Sequence, residues 1–212
     1  RDRNNPEYAA MVESVDRSVG RVMNKLKELD LIENTIVVFT SDNGGLSTLQ
    51  RNLRSGPASC LPLRAGKGWL YEGGIKIPTI ISWPSQITPG TLSDTPITTC
   101  DIYPTLLTAT GLIDKSNQSV DGVDLSPLFK DKELKVRSLF WHFPHYHGSG
   151  NRPSSSIRKG SFKLIRWYQD GSEELYNLNA DISEENDLSK VNASKRIEPV
   201  SYTHLTLPTN TV

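Results

Sequence analysis

The run TIVVFTSDNGG, from Thr35 to Gly45, constrains the fold of this chain more than any other stretch. Ile36, Val37, Val38 and Phe39 form an unbroken apolar run rich in β-branched residues, the pattern of a parallel strand covered on both faces. Asp42 and Asn43 follow at once, and Gly44 and Gly45 free the backbone for a sharp turn. Upstream, Tyr8, Met11, Val15, Val19, Val22, Leu26 and Leu29 recur at three- and four-residue steps, which predicts an amphipathic helix over Glu7 to Leu29 with Pro6 at its start. Helix and strand together make one αβ unit of a doubly wound sheet, in which the helix covers a sheet face. Ligands of such sheets gather at the carboxyl ends of the strands. An Asp carboxylate beside an Asn carbonyl offers two hard oxygens there, suited to Ca²⁺ or Mg²⁺. Taken alone, the same residues also describe an ordinary Asp-Asn-Gly turn.

A second stretch, LRAGKGWLYEGGIKIPTIISWP, runs from Leu63 to Pro84. Lys67 stands between Gly66 and Gly68, so its ammonium has room to approach an anion. A lone Gly-Lys-Gly is otherwise a solvated turn. Ile75 to Trp83 reads as a strand, and Asp101 to Thr110 as a short helix with Gly111 as its cap. After Val136 the pattern changes to short strands at Ser138 to Phe143, Ser154 to Arg158, Phe162 to Tyr168 and Glu174 to Leu178, a small antiparallel sheet.

In this order and spacing, FTSDNGG and LRAGKGWLYEGGIKIP resemble the sulfatase family of the alkaline-phosphatase superfamily. The runs TTCDIYPTLLTATGL, DGVDLSPLF and IRKGSFKLI with ELYNLNADISEENDLS are similar to it as well. The resemblance extends from about Tyr8 to Ser189. It implies an α/β fold: part of a mixed, mostly parallel doubly wound sheet with a small carboxyl-terminal antiparallel α+β subdomain. Residues 1–115 are then the carboxyl-terminal part of the catalytic domain and 116–199 the small subdomain. The implied activity is hydrolysis of a sulfate monoester of a carbohydrate or aryl compound, and the implied location is periplasmic or extracellular. By the resemblance, Asp42 and Asn43 are metal ligands, for Ca²⁺ with Mg²⁺ as the alternative, and Lys67 binds the sulfate near its bridging oxygen. The family's nucleophile is a formylglycine, which the resemblance puts in a segment ahead of this chain. Such a fragment is inactive alone.

Cys60-Leu61-Pro62-Leu63-Arg64 has the Cys-x-Pro-x-Arg spacing of the family's formylglycine signature. It is read as a coincidence, because in the family the signature precedes the Asp-Asn strand and here it follows it. In WHFPHYHGSGNRP, His142, His145 and His147 have no recognised zinc spacing. The segment is instead expected to loop over the site, where His142, His145 and Arg152 contact a sulfated sugar, or to pack without a further role.

Lys and Arg total 24 and Asp and Glu total 24, so no basic excess points to nucleic acid. No stretch approaches the ~20 apolar residues of a membrane span. The two cysteines define neither a disulfide framework nor a zinc cluster. VSYTHLTLPT, Val200 to Thr209, is what one frame of a transposase-end sequencing adapter encodes, so residues 200–212 are expected to be non-native. Two alternatives stay open: a phosphodiesterase or phosphonate hydrolase of the same superfamily, and a catalytically inactive binding fragment. The oligomeric state and the sulfate ester are not specified.

Overall fold

The computed structural model describes residues 5–47, 56–112 and 119–190. The predicted boundary at residue 115 and the suspected tail 200–212 lie outside them. The chain divides into two compact units, one of residues 9–42 and 78–136, the other of 1–8, 43–77 and 137–212. Among the described residues, no helix is long and apolar enough to cross a membrane.

The first unit holds most of α1 (Pro6–Glu28), β1 (Val37–Thr40), β2 (Thr79–Ser82) and α3 (Ile102–Ala109). At the start of α1, Asn5 Oδ1 accepts the Tyr8 N–H at 2.8 Å, the usual N-cap bond, and Pro6 takes the first helical position. β1 pairs with β2 antiparallel, Val38 opposite Ile81 and Phe39 opposite Ile80. The pleat turns these two pairs to opposite faces. Ile36, Val38 and Ile81 line a small apolar gap with Ile102, Leu106 and Phe129, so α3 packs on that face. Phe39 and Ile80 are exposed on the other. Among the described residues β1 pairs antiparallel with β2 and Phe39 and Ile80 are exposed, so the parallel neighbours expected of this strand are not among them.

The second expectation to change concerns α1. Its length is as predicted, but it buries no residue, and Met11, Val15, Val22 and Leu29 are each more than half exposed. α3 packs on one face of the two-stranded sheet, and α1, which buries no residue, does not serve as the cover of the other. Hydrogen-bonded ion pairs at its surface, Arg17 with Glu13 and Lys25 with Glu28, each add only tenths of a kcal/mol.

Asp101 organises the start of α3. Its buried carboxylate accepts the Thr98 N–H at 2.7 Å and the Val123 N–H at 2.9 Å. Thr105 extends the join by accepting the Leu125 N–H at 2.9 Å. Two segments resembling the family in sequence, around Asp101 and around Asp121, are thus stitched by side chain to backbone bonds.

The second unit is built on a four-stranded antiparallel meander, β3 (Ser138–Phe143), β4 (Ser154–Lys159), β5 (Phe162–Trp167) and β6 (Glu173–Asn177). The predicted strands match these to within a residue at each end. Register puts Ile157, Leu164 and Leu175 side by side on one face, where Phe162 and Leu188 close over them. The other face carries Arg158, Lys163, Ile165, Trp167, Glu174 and Tyr176 by the same alternation. On it Ile165, Trp167 and Tyr176 pack with Tyr71, Ala65 and Trp69 from the glycine-rich stretch. α2 (Glu72–Ile75) lies in that stretch, where a strand was predicted to begin at Ile75; the strand starts only at Thr79, after Pro78, which has no N–H for a ladder.

Candidate functional site

The glycines around Asn43 and Lys67 let two backbones touch. Gly44 donates its N–H to Gly74 O at 2.9 Å, and Lys67 donates its own to Gly45 O at 2.9 Å. Ser47 N–H bonds the same Gly45 carbonyl at 2.8 Å, and the Ser47 hydroxyl donates to Ala65 O at 2.5 Å. A Cβ built on Gly44 would fall 1.8 Å from Gly73 O, and one on Gly66 2.2 Å from Ser47 Oγ. Neither position admits a side chain without moving backbone or a buried hydroxyl. Asn43 therefore opens a turn clamped to the loop that carries Lys67. Asp42, exposed, precedes it in the chain at the end of the other unit.

Lys67 itself is exposed at the head of a tight turn closed by Trp69 N–H to Gly66 O at 3.1 Å. Gly68 adopts φ +85°, a conformation that favours glycine, and a Cβ there would lie 2.2 Å from His147 Nδ1. The next residue, Trp69, donates its indole N–H to Ser149 O at 3.2 Å. The Lys67 turn is thus held between the Gly45 carbonyl and the His147–Ser149 segment.

The expected substrate contacts divide. Arg152 lies on the loop-facing side: its guanidinium is 4.7 Å from the Trp167 ring centre, and Trp167 meets Trp69 edge-on at 6.4 Å. It also pairs with Asp170 at 3.2 Å. Bonds from the Ser172 hydroxyl and N–H, followed by Arg152, hold the Asp170 carboxyl down at about 2. His145 is exposed, its ring edge-on to Phe143 at 5.7 Å. His142 stands opposite Ser155, on the face turned away from the glycine-rich loop, with Nδ1 2.9 Å from both Ser155 Oγ and Tyr168 OH. The structure does not bring His142 to Lys67. Among the described residues no three His, Cys, Asp or Glu side chains gather as a metal group, so the three imidazoles do not assemble a zinc site.

His147 is the histidine that touches the Lys67 turn. Its Nδ1 accepts the Ser149 N–H at 3.2 Å, which leaves the proton of the neutral ring on Nε2. Cys60 is half-buried, its thiol directed at Gly45 O at 3.6 Å.

Behind the turn lies a charged cluster. Lys163 Nζ is fully buried, 3.0 Å from Glu72 Oε1 and 2.8 Å from Glu184 Oε1, the latter an ion pair off the hydrogen-bonding directions. Burial pushes the Glu184 carboxyl up from its ordinary value, against the pull of Lys163. Tyr71, beneath Arg64 at 3.9 Å and donating to Glu174 at 2.7 Å, has its hydroxyl pushed up first by burial and then by that carboxylate. A sequence signal for the cluster exists: Lys163 occupies the same alternate positions of FKLIRW as the inward Ile165 and Trp167.

Comparison with known proteins decides the family. The Sulfatase family model matches residues 2–112, and the model for the carboxyl-terminal region of N-sulphoglucosamine sulphohydrolase matches residues 65–206. This chain belongs to the sulfatase family. It is 38% identical over 210 residues to a sulfatase of Formosa agariphila, covering 90% of this chain and 36% of that protein. It is 31% identical to N-acetylgalactosamine-6-sulfatase of Canis lupus familiaris, covering 87% of this chain and 33% of the relative. The chain thus spans about a third of the length of these sulfatases. Among solved structures, Ps i-CgsB in complex with k-i-k-neocarrahexaose superposes with a TM-score of 0.82 at 31% identity, over 96% of this chain and 43% of that one. BT4656 in complex with its substrate D-glucosamine-2-N, 6-O-disulfate gives 0.75 at 27% identity, over 92% and 38%. These neighbours bear out the α/β class with its antiparallel carboxyl-terminal sheet. The second match ends at residue 206, within the stretch suspected of being non-native.

Proposed function

We propose that this chain is the carboxyl-terminal part of a secreted or periplasmic sulfatase that removes sulfate from a glycan, and that it supplies the anion-binding half of the active site. The observation that carries this reading is the Lys67 N–H to Gly45 O bond at 2.9 Å, which fixes the Gly-Lys-Gly turn to the backbone two residues from Asn43. An exposed ammonium on so constrained a turn is an anion ligand that needs little reorganisation when a substrate arrives. Its three N–H donors suit sulfate oxygens, and the bridging oxygen is where leaving-group charge develops.

The Asp42 carboxylate is exposed, and the Asn43 amide beside it adds a second hard oxygen. That donor chemistry fits Ca²⁺, with Mg²⁺ second, and leaves most of a six-to-eight oxygen shell to residues outside this chain. A cation held by Asp42 and Asn43 would supply Lewis-acid charge stabilisation to an anionic substrate. Formylglycine, the family's nucleophile, is assigned to the region ahead of this chain, and Cys60 to packing against Gly45. Arg152 and His145 are the proposed sugar contacts; His142, on the opposite face of the sheet, is not among them.

The glycan class is favoured by the similarity to N-acetylgalactosamine-6-sulfatase and to a structure solved with D-glucosamine-2-N, 6-O-disulfate. The test is side-by-side hydrolysis of matched sulfate and phosphate esters by the full-length protein. Turnover of the sulfate ester alone is expected. Preference for the phosphate ester would replace the reading with that of a phosphohydrolase.

A further inference from the structure

We propose that Lys163 is a positioning residue for Lys67, acting through Glu72 and Glu184; the inference rests on the sulfate-binding role of Lys67. Arg64 and Glu72 bound the arch at whose middle Lys67 stands. Both ends of that arch attach to one residue. Arg64 Nη1 donates to Glu184 O at 2.6 Å, and Glu72 N–H donates to Glu184 Oε2 at 2.7 Å. Glu184 holds φ +52° at the tip of a loop, and its side chain is fully buried. Lys163, projecting from β5, joins the remaining oxygens of the two carboxylates, Glu72 Oε1 at 3.0 Å and Glu184 Oε1 at 2.8 Å. Arg158 from β4 completes the set at 3.4 Å from Glu72 Oε2.

The charges balance: two cations, Lys163 and Arg158, face two carboxylates, Glu72 and Glu184. The Arg64 guanidinium meets the cluster at the Glu184 carbonyl. Residues Lys163, Glu72 and Glu184 are each at most 1% exposed, so no solvent screens them. Without the Lys163 ammonium, two buried carboxylates would confront each other across the gap. Glu72 would then be driven from Glu184, leaving the Gly73 N–H to Arg64 O bond of 2.9 Å to hold the ends of the arch, and the turn carrying Lys67 would loosen. In some proteins a buried ion cluster fixes geometry more than it adds stability, and that is the role proposed for this one.

The test uses the full-length protein and a chromogenic sulfate ester. Lys163→Met is expected to lower kcat by at least about tenfold with KM nearly unchanged, the signature of a misplaced group that acts in the transition state. The deficit relative to wild type should shrink as pH falls, because protonating one carboxylate removes the repulsion. The double variant Lys163→Met/Glu184→Gln, in which Arg158 alone offsets Glu72, should recover most of the lost kcat. Amide hydrogen exchange over residues 64–74 should rise in Lys163→Met and fall back in the double variant. Should Lys163→Met fail to fold, Glu184→Gln alone carries the test, with faster exchange over the arch expected. Full kcat in Lys163→Met, or equal impairment of single and double variants at every pH, overturns the proposal. A wild type that cleaves no sulfate ester overturns the functional reading instead; exchange over 64–74 then still decides the positioning, and unchanged exchange refutes it.

Discussion

Replacing Gly44 with alanine would drive a methyl group into the backbone of the Glu-Gly-Gly segment. The new Cβ would lie 1.8 Å from Gly73 O, 2.7 Å from Gly73 C and 2.9 Å from Gly74 Cα. Ordinary contact begins near 3.4 Å, so the two backbones must part by more than an ångström. No flexible side chain is available to yield, and Gly73 and Gly74 are buried in α2. Parting them breaks the Gly44 N–H to Gly74 O bond of 2.9 Å. Overpacking of this kind costs about 1–3 kcal/mol. A buried donor left without a partner costs roughly another 1–3 kcal/mol. Together they predict a loss of about 2–6 kcal/mol, a large share of the ~5–15 kcal/mol that holds a domain folded. Urea denaturation followed by tryptophan fluorescence measures it, with Gly20→Ala as control, because nothing lies within 4 Å of the Cβ there. A Gly44→Ala midpoint equal to wild type would show that the strand-end turn and α2 do not interlock as described.

Gly68→Ala adds strain to a collision, since φ is +85° and the new Cβ would meet His147 Nδ1 at 2.2 Å. It should displace the Lys67 turn and lower kcat/KM on a sulfate ester by about tenfold or more, since small misplacements of catalytic groups are costly; wild-type kcat/KM would refute that. The Glu184 carboxyl is raised above its ordinary 4.5 by burial, so the folded state holds its proton more tightly than the unfolded state. Its contribution to stability is therefore fully present below 4.5 and is lost as pH rises through the folded value. Stability of wild type relative to Glu184→Gln, read by denaturant titration at several pH values, should decline across that window; a rise would contradict the assignment.

How far the sequence could be read differs between the two units for a physical reason. In the four-stranded sheet the strands are short runs separated by explicit turn residues, and glycine turns such as Gly160, at φ +58°, and Gly171, at φ +67°, mark its corners. Turn chemistry delimits each run, so strand bounds emerge within a residue. Ile36 to Phe39 carries no alternation, and an apolar run cannot say whether its neighbour is parallel, antiparallel or absent. The apolar stripe of α1 likewise announces a helix without naming what covers it. Asp42, Asn43 and Lys67 stand out as polar residues set among glycines. For His142, residue type alone does not reveal which face of a strand the side chain takes; the register with Ser155 does. Lys163 shares the alternate positions of Ile165 and Trp167, but its charge argues against an inward place, and only the packing of that face on Tyr71 and Trp69 shows it buried.

The most direct measurement is the turnover of a sulfate monoester by full-length Lys67→Ala, set beside its folding stability. Loss of one preorganised donor to developing charge is worth about 10²–10³ in kcat. Lys67 is exposed, so stability should change by no more than about 0.5 kcal/mol. A fall in kcat of that order in a protein as stable as wild type is the predicted result; undiminished kcat would contradict the account.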